Sequence, residues 1–506
     1  MIRATLSVAT LVCLGGVPAS AAIGDPVHVD AGLVSGISGS SQEMRIYKGI
    51  PFAAPPVGNL RWRAPQPPPH WDGVRKAEQF GAACLPNRQG SEDCLYLNVW
   101  TAAKSAGERR PVMVWIYGGG FNTGSALVPS YDGEGLAKKG PVVVTFNYRL
   151  GPFGFFSHPD LTKESDRSAS GNQGLMDMVA ALQWVQKNIA AFGGDPKRVT
   201  IFGESAGSVA VADLMASPQA KGLFIRAIGE SGGFSGLSIG RMRGLAESEQ
   251  AGVKLAESLN GRSLAELRLL PAAAIVKDGR GTGAIVDGWF LPQDTDTTFV
   301  QGKQNAVPVL VGSNKDEGTF FLQPTTTERF LDQSKRRFGD LAEAFLKIYP
   351  AASDEEANAS QLRAFADEAA WVMREWARIE VKTGKTKAYL YYFTHEPPAV
   401  PGAKGGGQRR GATHVAEVPY VFQKQLNSPW TDVDHQLSDT MSSYWVNFAS
   451  NGDPNGKGLP KWPAFDENKS PAPMVLGDNV EAGSVPDAVK LNFYQSAYEK
   501  QKARSR

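Results

Sequence analysis

The chain has 506 residues, 42% of them hydrophobic and 21% charged, with a formal net charge of +2. That composition suits a soluble globular protein. It excludes a nucleic-acid footprint, because the charges are interspersed and basic runs such as Arg109-Arg110 and Arg409-Arg410 are short. The length allows about three domains, yet no Pro/Ser-rich linker, repeat or low-complexity tract divides the chain.

In chain order, the first element is a secretion signal over residues 1–21. Arg3 supplies the positive region, Leu6 to Val17 an apolar core too short to span a bilayer, and Ala19-Ser20-Ala21 the small residues of a cleavage site. Cys13 follows Val12, where lipoprotein processing needs a small residue, so no lipid anchor is expected. No other apolar run reaches about 18 residues, so no membrane span is expected in the mature chain. Residues 22–506 are expected to form one domain in the secreted or periplasmic space. Two cysteines remain there, Cys84 and Cys94. An even count and an oxidising compartment predict that they pair.

Pro111 to Tyr117 and Val142 to Tyr148 are continuous apolar runs, as in strands buried on both faces. Leu175, Met178, Val179, Leu182, Val185 and Ile189 recur at helical spacing, ending before Gly193-Gly194-Asp195-Pro196. Further strands are predicted at Val199 to Phe202, Arg226 to Ser231, Val307 to Gly312 and Lys387 to Phe393. Strands alternating with helices imply an α/β fold with a central, mostly parallel sheet flanked by helices. Residues Leu237 to Asn305 and Thr325 to Thr386 look helical. They are expected to be insertions that wall a pocket over the C-terminal edge of the sheet.

Within this frame, Gly203-Glu204-Ser205-Ala206-Gly207 sits between a β-forming run and an apolar small-residue run, Ala206 to Met215. Strand, sharp turn and helix is the context of a nucleophile elbow, with the helix N-terminus aimed at an oxygen that becomes anionic. A serine hydroxyl needs a base, and the base an orienting acid. In such folds the order is Ser, then Asp/Glu, then His. Order removes His28, His70 and His158 from the six histidines. His435 opens a helical run, where it would face solvent or cap. The order rule leaves His395 and His414 open. Gly312-Ser313-Asn314-Lys315-Asp316-Glu317-Gly318 follows a strand and offers adjacent acids, Asp316 and Glu317, between which the residues alone do not choose. Gly118-Gly119-Gly120-Phe121 follows a strand, as an oxyanion-binding glycine loop does.

The run Phe192 to Gly207 resembles that of the type-B carboxylesterase family. So do Glu92-Asp93-Cys94-Leu95-Tyr96-Leu97-Asn98-Val99-Trp100, Ile46 to Ala53, and Tyr444 to Ala449. The second signature departs at Ala102, where Pro, Gln or Arg is usual, and Tyr117 stands where a histidine often precedes the glycine loop. The resemblance covers most of the chain and implies an α/β-hydrolase that cleaves carboxylic esters through an acyl-enzyme. It also implies Ser205 as nucleophile, Glu317 as the acid, and His414, in Gly411 to Tyr420, as the base. Gly119, Gly120 and Ala206 become the oxyanion donors, and the Cys84–Cys94 pair matches a family bridge. Glu204, Glu417 and Ser231 are read as supports around the base.

No metal or cofactor is expected: no HExxH or CxxC occurs, and no dinucleotide fingerprint follows a strand. The expected partner is a small-molecule ester; amides, carbamates or polyesters would use the same machinery. A non-enzymatic binding member would lack part of the triad, and all parts are present. The short span Leu85 to Asp93 holds no aromatic residue, which argues against a cholinesterase-like ammonium site. The basic loop Pro398 to Thr413, with Lys404, Arg409 and Arg410, is a candidate for favouring anionic substrates.

Overall fold

The apolar runs become strands buried on both faces. Val142–Phe146, Val309–Asn314 and Ala388–Phe393 are buried at every position. This computed structural model describes residues 23–234, 242–261, 263–400, 411–466, 472–483 and 487–504. The predicted signal segment and the basic residues Lys404, Arg409 and Arg410 lie outside the described residues.

Among the described residues, eleven strands make one sheet. In chain order they are β1 (Ile37–Ser38), β2 (Arg45–Pro51), β3 (Tyr96–Thr101), β4 (Arg110–Ile116), β5 (Val142–Phe146) and β6 (Gly194–Glu204). Then come β7 (Arg226–Glu230), β8 (Val309–Asn314), β9 (Ala388–Phe393), β10 (Met474–Leu476) and β11 (Val480–Ala482). The spatial order is β11-β10-β9-β8-β7-β6-β4-β5-β3-β2-β1. From β5 to β10 every neighbouring pair is parallel, and the two ends are antiparallel. Val27–Val29, Gly32–Ser35 and Val74–Lys76 form a separate small sheet.

Helix α1 (Gln173–Asn188) carries the predicted stripe and buries Leu175, Met178, Leu182 and Val185. It stops through a 3-10 turn, Ile189–Phe192, with Gly193 at φ 80°. The strand predicted from Val199 starts earlier, with β6 beginning at Gly194. Gly194 pairs with Arg110 across a register shift, so an irregular strand start absorbs Pro196, which lacks an N–H. Helix α2 (Ala206–Ala216) packs on β6 and β7, and the 26-residue helix α3 (Asp354–Ile379) packs on β8 and β9. The two regions read as helical contain helices at Leu245–Ser258, Leu264–Leu269, Ala272–Asp278 and Thr295–Val300, and at Thr327–Phe338, Ala342–Ile348 and α3.

Cys84 and Cys94 form a disulfide with Cα atoms 5.0 Å apart. The segment is pinned next to the bridge, where Arg61 donates two hydrogen bonds to Glu92, at 2.6 and 2.7 Å. Among the described residues no helix is long and apolar enough to cross a membrane.

Candidate active site

β6 ends at Glu204 and α2 starts at Ala206, which leaves Ser205 alone on the turn at φ 58°, ψ −126°. A side-chain-bearing residue there costs roughly 1–3 kcal/mol, so its surroundings must hold it. The Ser205 N–H donates to the Glu230 carbonyl at 2.8 Å. A Cβ on Gly207 would collide with the Ile116 carbonyl, and one on Gly118 would lie 2.6 Å from the Glu204 carbonyl. The pentapeptide and the glycine loop therefore interlock through backbone contacts that allow no side chain. Ala206 is the first residue of α2, so its N–H has no partner within the helix. Gly119 and Gly120 hold φ values of 114° and 61°.

Glu317 follows β8 and caps the short helix Gly318–Phe321. Its Oε1 accepts from the Asn314 N–H at 2.9 Å, and its Oε2 lies 2.5 Å from His414 Nδ1. The Asp316 side chain reaches across to the histidine segment instead of to the imidazole. Its Oδ2 accepts from the Ala412 N–H at 2.8 Å, which ties the acid-bearing turn to the histidine segment. His395 is also removed from the choice of base: its ring nitrogens lie 2.6 Å from Asp478 and 2.8 Å from Asp434. Asp434 in turn closes the capping box of helix α4 (Asp432–Asn451), so His395 is a structural tie. His435 is exposed beside Trp430.

His414 Nε2 lies 2.9 Å from Glu204 Oε1, but the contact is poorly aligned and neither atom completes a hydrogen bond. Burial alone would lower the pKa of His414. The Glu204 and Glu317 carboxylates outweigh it and raise the imidazole well above its ordinary value. Burial raises Glu204 and, helped by Glu204, pushes Glu417 up to about 8. Glu417 Oε2 accepts from the Asn314 side-chain amide at 2.5 Å, and that amide also donates to the Thr413 carbonyl. Ser231, at φ 53°, follows β7 and reaches the same cavity wall.

That cavity measures about 470 Å³ and is walled on one side by Gly120, Ser205, Ala206, Ser231, Glu317 and His414. The rest of its lining is mostly apolar, with Phe321, Phe365, Val372 and Met373, and carries one further carboxylate, Glu368. The rings of Phe320 and Phe321 sit 5.4 and 4.6 Å from the His414 ring. Gly119 is one residue behind this wall. The apolar residues were missed from sequence, as was Asn314. Phe320 and Phe321 stood three and four positions after Glu317, where the hydrophobic pair on an exposed turn was the available signal.

The Carboxylesterase family model matches residues 25–494. The fumonisin B1 esterase of Sphingopyxis macrogoltabida is 39% identical over 501 residues, covering 92% of this chain and 89% of that protein. The para-nitrobenzyl esterase of Bacillus subtilis is 34% identical over 88% of this chain and 93% of its own. A solved PNB esterase superposes with a TM-score of 0.80 at 31% identity, over 93% of this chain and 99% of that one. A carboxylesterase of Geobacillus stearothermophilus superposes equally well, with a TM-score of 0.80, 32% identity and the same coverage. With an α/β-hydrolase sheet and a family match running almost end to end, the chain belongs to the carboxylesterase family and is a carboxylic ester hydrolase.

Proposed function

We propose that Ser205, His414 and Glu317 are the nucleophile, base and acid of a serine esterase working through an acyl-enzyme. Ser205 Oγ attacks the ester carbonyl while its proton passes to His414 Nε2. The N–H groups of Gly119, Gly120 and Ala206 hold the oxyanion, each contributing roughly 3–4 kcal/mol to the barrier reduction. The ester C–O bond breaks and His414 returns the proton to the departing alcohol. Water, activated by the same imidazole, then releases the acid. Glu317 fixes the Nδ1–H tautomer and stabilises the imidazolium. The observation that carries this reading is that Ser205 and His414 wall one cavity while His414 Nδ1 is held 2.5 Å from Glu317.

The apolar wall supports uncharged esters of short or medium acyl chain, aryl esters included, as preferred substrates over choline esters. Relatives named para-nitrobenzyl esterase and fumonisin B1 esterase agree with an ester substrate. Export follows from the signal over residues 1–21, with the Cys84–Cys94 bridge in support. Exported protein should begin near Ala22; an N-terminal reading that starts at Met1 would contradict export with cleavage. Ser205→Ala tests the chemistry. It should lose at least about a thousandfold in kcat on a nitrophenyl ester while keeping its thermal transition. A folded variant retaining near wild-type kcat would overturn the assignment.

A further inference from the structure

Four buried carboxylates form a cluster of which two, Glu204 and Glu317, meet the His414 ring, and the reaction as written uses those two at most. Glu204, Glu230, Glu317 and Glu417 are each at most 1% exposed. Among the described residues none of them bonds a lysine or arginine; their partners are His414, Asn314, Trp445 and backbone. Four buried anions beside one imidazolium would be a large uncompensated charge. Protons must therefore reside in the cluster.

Register places Glu230 at the centre of this problem. It is the pairing partner of Glu204 across the parallel strands β6 and β7, so both side chains leave the same face of the sheet at neighbouring positions. On its other side it is level with Gly312 of β8, which has no side chain to separate it from the turn bearing Glu317. Glu230 Oε1 accepts from the Trp445 indole N–H at 2.8 Å. Glu230 Oε2, Glu204 Oε1 and Glu417 Oε1 are buried and lack hydrogen bonds. The titratable groups facing the cluster from other elements are Tyr131 and Tyr391, both kept neutral by burial and by these carboxylates.

The members differ in what offsets their charge. Glu204 has His414 at 2.9 Å and Glu317 has it at 2.5 Å. Glu417 has the Asn314 amide. Glu230 has a single neutral indole donor. We propose that Glu230 is held as a neutral carboxylic acid at neutral pH, a positioning residue that limits the anions facing His414 so that the imidazole can still lose its proton. An Oε2–H also turns an orphaned acceptor into a donor within a cluster where two other carboxylate oxygens lack one. Burial, then the Glu417 and Glu204 carboxylates, hold Glu230 well above the usual carboxyl range, against the Trp445 bond.

The proposal rests on His414 as the base, but its primary test does not. Infrared difference spectra at neutral pH should show the C=O stretch of a protonated carboxylic acid in wild type, shifted by isotopic labelling of glutamate. Glu230→Gln should remove a component of it. Absence of the band in wild type, or its survival at full intensity in Glu230→Gln, overturns the proposal, and the wild-type arm needs no variant to fold. The second readout is the acid limb of kcat/KM against pH. Glu230→Gln replaces one neutral group by another, so the limb should stay in place. Glu204→Gln removes an anion beside Nε2 and should move the limb toward acid. A shift in Glu230→Gln like that in Glu204→Gln means Glu230 was ionised, and the idea fails.

Discussion

Asp213 is buried in α2, eight residues past Ser205. It accepts from the Thr295 hydroxyl at 2.7 Å, and its second oxygen lacks a partner. Burial pushes its pKa up to about 7 from 3.8. For an acid whose folded pKa is raised, the native state holds the proton longer than the unfolded chain does. Its contribution is therefore full below the unfolded value and is lost as pH climbs from about 4 to about 7, by an amount on the order of a few kcal/mol. Asp213→Asn keeps the acceptor for Thr295 and cannot ionise. It should unfold at higher denaturant than wild type at pH 8, with the gap closing near pH 4. Equal midpoints at both pH values would show that Asp213 carries no such cost. At this scale the sequence was most legible where chemistry is local. Ser205 is announced by its own pentapeptide, and Asp316 and Glu317 by one turn. The choice between those acids was not legible, because it depends on which carboxylate meets a ring 97 residues further along the chain.

At the scale of elements, continuous apolar runs identified the central strands because both faces of a parallel sheet are covered. The edge strands were not foreseen. Met474–Leu476 and Val480–Ala482 are three residues each, and β2 shifts register between Tyr47 and Ile50, so neither length nor alternation marks them. The same limit applies to the substrate wall. Val372 and Met373 lie within a long helix whose pattern says only that one face is buried. Nothing local says that the face meets Ser205. Helix α3 thus lines the cavity that holds Ser205. Val372→Phe should lower kcat/KM for a hexanoate ester relative to the acetate by roughly tenfold or more, since each methylene that fits or fails to fit is worth about 1–3 kcal/mol. An unchanged ratio across a series of nitrophenyl esters would place the acyl chain elsewhere.

Across the whole molecule, the site is assembled from distant stretches of chain that the sheet brings to one edge. The glycine loop follows β4, the proposed nucleophile β6, Ser231 β7 and the proposed acid β8, all parallel strands leaving at their C-terminal ends. That convergence explains why a fold read from alternating strands and helices also located the site. The least legible part was electrostatic: Glu230 is an ordinary acid in sequence, and only the register of β6 and β7 sets it beside Glu204. The account stands on Ser205 as the group that carries the acyl chain. The most direct test is to treat the active protein with an organophosphate and locate the adduct by peptide mass spectrometry. The account predicts one stoichiometric adduct on Ser205, formed in step with loss of activity and absent in Ser205→Ala. An adduct on any other residue, or full inhibition with Ser205 unmodified, would contradict it.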